Sequence, residues 1–89
     1  MKTIKLIQQF RTGVIEDFRE LESISAASTS ENGEQYFYFQ YLQKEYTVVF
    51  CDDNTVMLVN EDVFGEQWEI TKPEDIRSTL LKQDYENIK

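Results

Sequence analysis

Apolar residues recur at helical spacing early in the chain, at strand spacing in its middle, and at helical spacing again near its end. Ile7, Phe10, Val14, Phe18 and Leu21 step by three or four, and Ile4 extends the stripe backward. Gln8, Gln9, Arg11, Glu16, Asp17, Arg19 and Glu20 fall between them and suit an exposed face. With Thr3 as the cap, the pattern predicts a helix over 3–22. Gly13 sits inside it, at a cost of up to ~1 kcal/mol relative to alanine. That cost points to a close approach to the sheet or a slight bend; a break at Thr12-Gly13 is the alternative. From Ser23 the periodicity stops, and SISAASTSENG reads as a loop over 23–34, with Asn32-Gly33 turning the chain into the next element.

The stretch Gln35–Asn60 holds three runs rich in Tyr, Phe and Val: QYFYFQYLQ, YTVVFC and TVMLVN. They predict strands over 35–43, 46–51 and 55–60 in an antiparallel meander. A two-residue loop at Lys44-Glu45 would set Tyr41 opposite Val48 and Phe39 opposite Phe50. Phe37, Phe39, Tyr41, Val48 and Phe50 then share the face a helix should cover. Tyr36, Tyr38, Gln40, Leu42, Thr47, Val49 and Cys51 share the other. The second turn, Asp52-Asp53-Asn54, leaves two registers open. A two- or four-residue loop sends Met57 and Val59 to the core, and a three-residue loop sends Val56 and Leu58.

Residues 61–70, EDVFGEQWEI, also have two readings. Trp68 and Ile70 alternate with Gln67 and Glu69 as in a short fourth strand over 66–70. Alternatively Val63, Phe64 and Trp68 plug the end of the core from a loop. Thr71-Lys72-Pro73-Glu74 then forms a capping box with proline in the first turn. Ile76, Leu80, Leu81, Tyr85 and Ile88 supply the stripe of a second helix over 72–86. The expected fold is a single α+β domain over 1–89: helix, a three- to four-stranded antiparallel sheet, helix.

Charge narrows the function classes. The net charge is −8, from 9 basic and 17 acidic residues. Phosphate neutralisation needs clustered Lys and Arg, so direct binding to nucleic acid or an anionic membrane is not expected. With no histidine, His-based catalysis and His-ligated zinc are absent as routes. No apolar run approaches the ~18 residues of a membrane span. The N-terminal MKTIKLIQQF meets Gln8, Gln9 and Arg11 before an apolar leader could form. The single cysteine, Cys51, fits a reducing compartment, and the expected location is cytoplasmic.

The acidic pairs Asp52-Asp53, Glu61-Asp62 and Glu74-Asp75 are the first candidates for chemistry. Asp52-Asp53-Asn54 lacks the alternating acids and distant glutamate of a calcium loop, and turn propensity accounts for it. Glu74-Asp75 suits the positive end of a helix dipole. Cys51 has no cationic neighbour to lower its thiol pKa, and two aspartates follow it. The glycines are isolated, so no phosphate cradle exists. No catalytic residue, metal site or cofactor is expected.

What remains is a polarity along the chain. Lys2, Lys5 and Arg11 stand without an acid in residues 1–12, whereas no Lys or Arg occurs from Glu45 to Thr71. That second stretch carries Glu45, Asp52, Asp53, Glu61, Asp62, Glu66 and Glu69. Five tyrosines add a surface suited to protein contact, Tyr36 and Tyr38 foremost. The helix–strands–helix order and the acidity are similar to some small phage-encoded inhibitors, including certain anti-CRISPR proteins. The resemblance implies a non-enzymatic protein that presents an acidic, DNA-mimicking surface to a basic, nucleic-acid-binding partner protein. The named acids, with Tyr36 and Tyr38, are the expected contact residues. The rival expectation is a small accessory domain that homodimerises or docks through the aromatic sheet face.

Overall fold

The computed structural model describes the backbone of residues 2–51 and 55–87 and the side chains of 5–51 and 55–83. In chain order the elements are α1 (Lys2–Asp17), β1 (Leu21–Ile24), β2 (Ser28–Thr29), β3 (Gln35–Tyr41), β4 (Lys44–Phe50), β5 (Val56–Asn60), β6 (Gln67–Ile70) and α2 (Glu74–Asn87). The strands form one antiparallel sheet in the order β1-β3-β4-β5-β6, with β2 also paired to β3. The sheet thus has six strands where three or four were expected. No helix among the described residues is long and apolar enough to cross a membrane.

Both helices contribute to one core. Ile7, Phe10, Val14 and Phe18 come from α1 and its end, and Ile76 and Leu80 from α2. They join Phe37, Phe39, Tyr41, Val48 and Phe50, all buried as strand alternation requires, and Tyr46. Phe10 meets Phe50 edge-on with centroids 5.6 Å apart. Phe18 lies 5.6 Å from Phe39 and 4.7 Å from Tyr41.

The first helix ends at Asp17, not at 22, closed by the Phe18 N–H donating to the Val14 carbonyl at 3.1 Å. Leu21 and Ile24 belong to β1, opposite Tyr41 and Phe39. A bulge between Leu21 and Ser23 shifts the register, so two residues three apart both reach the core side. That spacing imitates a helix in the sequence. The expected loop over 23–34 accordingly contains β2 and part of β1. Around its turn the Ser30 N–H donates to the Glu34 carbonyl at 2.8 Å, and Gly33 takes φ +86°.

The β3–β4 turn is Leu42-Gln43, not Lys44-Glu45. Pairing runs Tyr41 to Lys44, Phe39 to Tyr46 and Phe37 to Val48. Moving the turn by two residues shifts each cross-strand partner by four, an even number, so every side chain keeps its expected face and changes only its partner. Both turn residues have positive φ, 51° and 63°, as a type I′ hairpin requires. Neither Leu nor Gln advertises that conformation. On β5, Val56 and Leu58 are buried, the outcome of a three-residue turn; Asp52, Asp53 and Asn54 lie outside the described residues. The Cys51 N–H donates to the Thr55 carbonyl at 2.8 Å, flanking that turn.

Residues 67–70 form β6, where Ile70 is buried and Trp68 packs against the core. Val63 and Phe64 are exposed and plug nothing. The second helix is capped one residue later than Thr71 and Glu74 suggested. The Lys72 N–H donates to the Asp75 carboxylate at 3.2 Å. Leu81 is exposed, while the side chains of Tyr85 and Ile88 lie outside those described.

Gly13 marks a close approach, although not to the sheet. A Cβ built there would stand 2.7 Å from the Pro73 Cβ, in the lead-in to α2. Gly13→Ala gains up to ~1 kcal/mol of helix propensity but overpacks a rigid ring, at about 1–3 kcal/mol. Net destabilisation is expected in urea unfolding; stabilisation would mean that α1 and Pro73 separate readily. In contrast, Leu42→Asn with Gln43→Gly should stabilise by about 1 kcal/mol, since the left-handed region penalises Leu and Gln. An unchanged or lower urea midpoint would mean that the turn carries no such penalty.

Candidate functional site

The antiparallel order brings the β3–β4 turn and the β5–β6 connection to the same end of the sheet. Glu45 starts β4 there, beside the half-buried Lys44, and Glu61, Asp62 and Glu66 lie in the connection. Two hydrogen bonds join these pieces. The Glu45 N–H donates to the Asp62 carboxylate at 3.0 Å, and the Glu61 N–H donates to the Glu45 carbonyl at 2.9 Å. Four of the seven expected acids therefore gather at one place. Asp52 and Asp53 fall in the β4–β5 connection, outside the described residues and beyond the other end of β4. Glu69 stands apart on β6, opposite Met57.

Asn60 organises the connection, and the sequence reading passed over it as the last residue of a strand. It is buried, with 7% exposure. Its side-chain amide donates to the Glu66 carboxylate at 3.1 Å, and its side-chain carbonyl accepts from the Asp62 N–H at 2.9 Å. Its backbone N–H donates to the Glu66 carbonyl at 3.0 Å, and its carbonyl accepts from the Val63 N–H at 3.3 Å. A further bond runs from the Glu66 N–H to the Val63 carbonyl at 3.2 Å. Gly65 reverses the chain at φ +82°. The available signal was an Asn at a strand end followed two residues later by an N–H it could accept, an Asx turn.

The result is a short loop held from inside that turns its apolar residues outward. Val63 is 46% exposed and Phe64 fully exposed, at 106%. Of the acids, Asp62 and Glu66 are engaged in holding the loop, whereas Glu45 and Glu61 present exposed side chains. At the same end, the Gln43 N–H donates to the Glu22 carboxylate, tying the β3–β4 turn to β1.

Tyr36 and Tyr38 stand elsewhere, on the sheet face away from the core. One cross-strand row there runs Tyr36, Val49, Met57, Glu69, and the next Tyr38, Thr47, Val59, Gln67. Tyr38 is 44% exposed, and Tyr36, Thr47, Val49, Met57 and Val59 are half-buried. Glu45 lies on this face too, so it borders both the tyrosine rows and the acidic end. The structure thus divides the expected contact residues between two adjoining surfaces.

No group of three or more Cys, Asp or Glu among the described residues could hold a metal ion. A cavity of about 550 Å³ lies along α1, lined by Lys5, Gln8, Gln9, Thr12, Gly13 and Glu16. That lining contains neither a nucleophilic thiol nor a pair of carboxylates. Compared with known families, curated proteins and solved structures, the chain matches none.

Asn60→Ala removes both side-chain bonds and leaves their partners to water or to nothing. A loss of about 1–3 kcal/mol is expected, with faster amide hydrogen exchange at Asp62 and Glu66 than in the β3–β4 ladder. Exchange rates unchanged at these two amides would show that Asn60 does not hold the loop.

Proposed function

We propose that the protein is a non-enzymatic protein-binding protein whose acidic end meets a basic partner, one that itself handles nucleic acid. The gathering of Glu45, Glu61, Asp62 and Glu66 around one loop, in a stretch without Lys or Arg, carries this reading. Carboxylates spaced over such a surface can substitute for phosphates, and their field speeds encounter with a cationic protein. The small phage-encoded inhibitors that the chain resembles in order and acidity use acidic surfaces to occupy the DNA-binding channels of their partners. A second reading, docking or homodimerisation through the open sheet face, is favoured by the exposure of Tyr38 beside half-buried Tyr36, Val49, Met57 and Val59.

Glu45, Glu61 and Glu69 are the sites for the test, because each side chain is exposed and none is used in holding the loop. Changing all three to lysine turns attraction into repulsion, worth roughly 1 kcal/mol or more per site at low salt. The melting temperature should hardly move, since exposed charges contribute weakly to stability. Affinity is measured at two salt concentrations for the partner purified from the native host. Lys2 and Lys5 changed to glutamate serve as the control and should leave binding nearly intact; Arg11 is left in place because its guanidinium donates to the Ser25 carbonyl at 2.8 Å. A folded triple variant that binds as the parent does would reduce the acidic end to a solvated surface. The open sheet face would then become the leading candidate.

A further inference from the structure

Phe64 is the side chain that the fold explains least. A fully exposed phenyl leaves its apolar surface in water, and burial of that surface would be favourable. Single exposed apolar residues are ordinary on protein surfaces. This one differs in its support. Five hydrogen bonds made by Asn60, Asp62, Val63 and Glu66 fix the loop backbone on both sides of the ring. Val63 stands beside it, also exposed. Aromatic residues on pre-ordered loops are the usual anchors of protein interfaces, because little conformational freedom is lost on docking.

The surroundings specify the occupant. Phe64 is flanked in the chain by Glu61, Asp62 and Glu66, and the loop is bonded to Glu45. A neutral or acidic pocket would desolvate these carboxylates with no opposite charge to meet them as the ring enters, Asp62 and Glu66 keeping only their hydrogen bonds within the loop. A pocket rimmed by Lys or Arg would pair them. We propose that Phe64 is a pre-positioned anchor that enters an apolar pocket ringed by cationic side chains on a partner protein. The acids around it contact the rim and exclude the wrong partners. This deepens the acid-led reading and rests on it for the charge of the partner. It adds that binding is centred on one aromatic side chain and not spread over the charges.

The pocket chemistry can be supplied without the partner. β-Cyclodextrin carrying an ammonium group at each primary rim position is an apolar cavity, sized for a phenyl ring, with a cationic edge. Plain β-cyclodextrin is its neutral counterpart. Both are titrated into the isotopically labelled protein, with binding located by amide and side-chain NMR shifts. The expected result is binding centred on residues 61–66, about tenfold or more tighter for the cationic host at low salt. Phe64→Ala should lose about tenfold or more, while Tyr38→Ser leaves binding unchanged, and both variants should melt with the parent. Glu45→Gln with Glu61→Gln should reduce only the preference for the cationic host.

Cationic-host binding that survives Phe64→Ala overturns the anchor and leaves the acid-led reading standing. Loss on Phe64→Ala with no preference between hosts removes the cationic rim, and with it the charge argument for the partner. Shifts centred on Tyr36 and Tyr38 would move the interface to the open face. Sedimentation of the parent and Phe64→Ala completes the test. Self-association by the parent that the variant lacks would make a second copy the occupant and overturn the cationic partner.

Discussion

The contact on which this architecture depends is the wedge of Phe18 between the end of α1 and β3. Its ring touches both Phe39 and Tyr41, and Phe39 in turn stacks on Tyr46 of β4 with centroids 5.5 Å apart. One side chain therefore ties the end of the helix to the covered face of β3, and through Phe39 to β4. Each such aromatic pair adds about 0.5–1.5 kcal/mol beyond area burial. At the other end of the same helix face, Phe10 against Phe50 sets the helix direction across the strands. With both helices committed to this face, the described residues form one core, and among them no helix covers the second face of the sheet.

That asymmetry was legible in the sequence because strand alternation carries it. Phe37, Phe39, Tyr41, Val48 and Phe50 are all odd or all even within their strands, and a slip of register by an even number of residues, here four, cannot move them to the other face. The turn itself was not legible. A type I′ hairpin is normally announced by Asn-Gly, and Leu42-Gln43 extends the alternating pattern of β3 instead. β1 escaped for a related reason: the bulge at Leu21–Ser23 gives Leu21 and Ile24 a helical spacing, so the apolar stripe runs on past the true end of α1. In both places the local pattern was genuine, and tertiary pairing with a stronger neighbour overrode it.

The candidate site was legible only as composition. Seven acids without a base could be counted along the chain, yet which of them meet depends on the order of the strands. The meander places Glu45 beside Asp62, while Asp52 and Asp53 lie outside the described residues. Asn60 was invisible as an organiser, because its importance arises from burial and from four bonds that exist only once β5 and the loop have formed. Phe64 read only as a plug for the end of the core, and the structure leaves it exposed; no periodicity reaches a six-residue connection.

The acids are not equivalent, and the difference bears on what the charge is for. Asp75 caps α2 through the Lys72 N–H, and Glu74 lies beside it at the positive end of the helix dipole. Asp62 and Glu66 accept hydrogen bonds that shape the β5–β6 loop, and Glu22 accepts one from the β3–β4 turn. These five have structural reasons to be where they are. The exposed side chains of Glu45 and Glu61 do not hold the loop, and they add to the self-repulsion of a chain already at −8. Folding alone would be served as well by glutamine at either position. Their placement beside a hydrogen-bonded loop that carries the exposed Phe64 is what joins the charge to the anchor. Under the proposed function, the same loop selects the sign of the partner and supplies the apolar contact that keeps it bound.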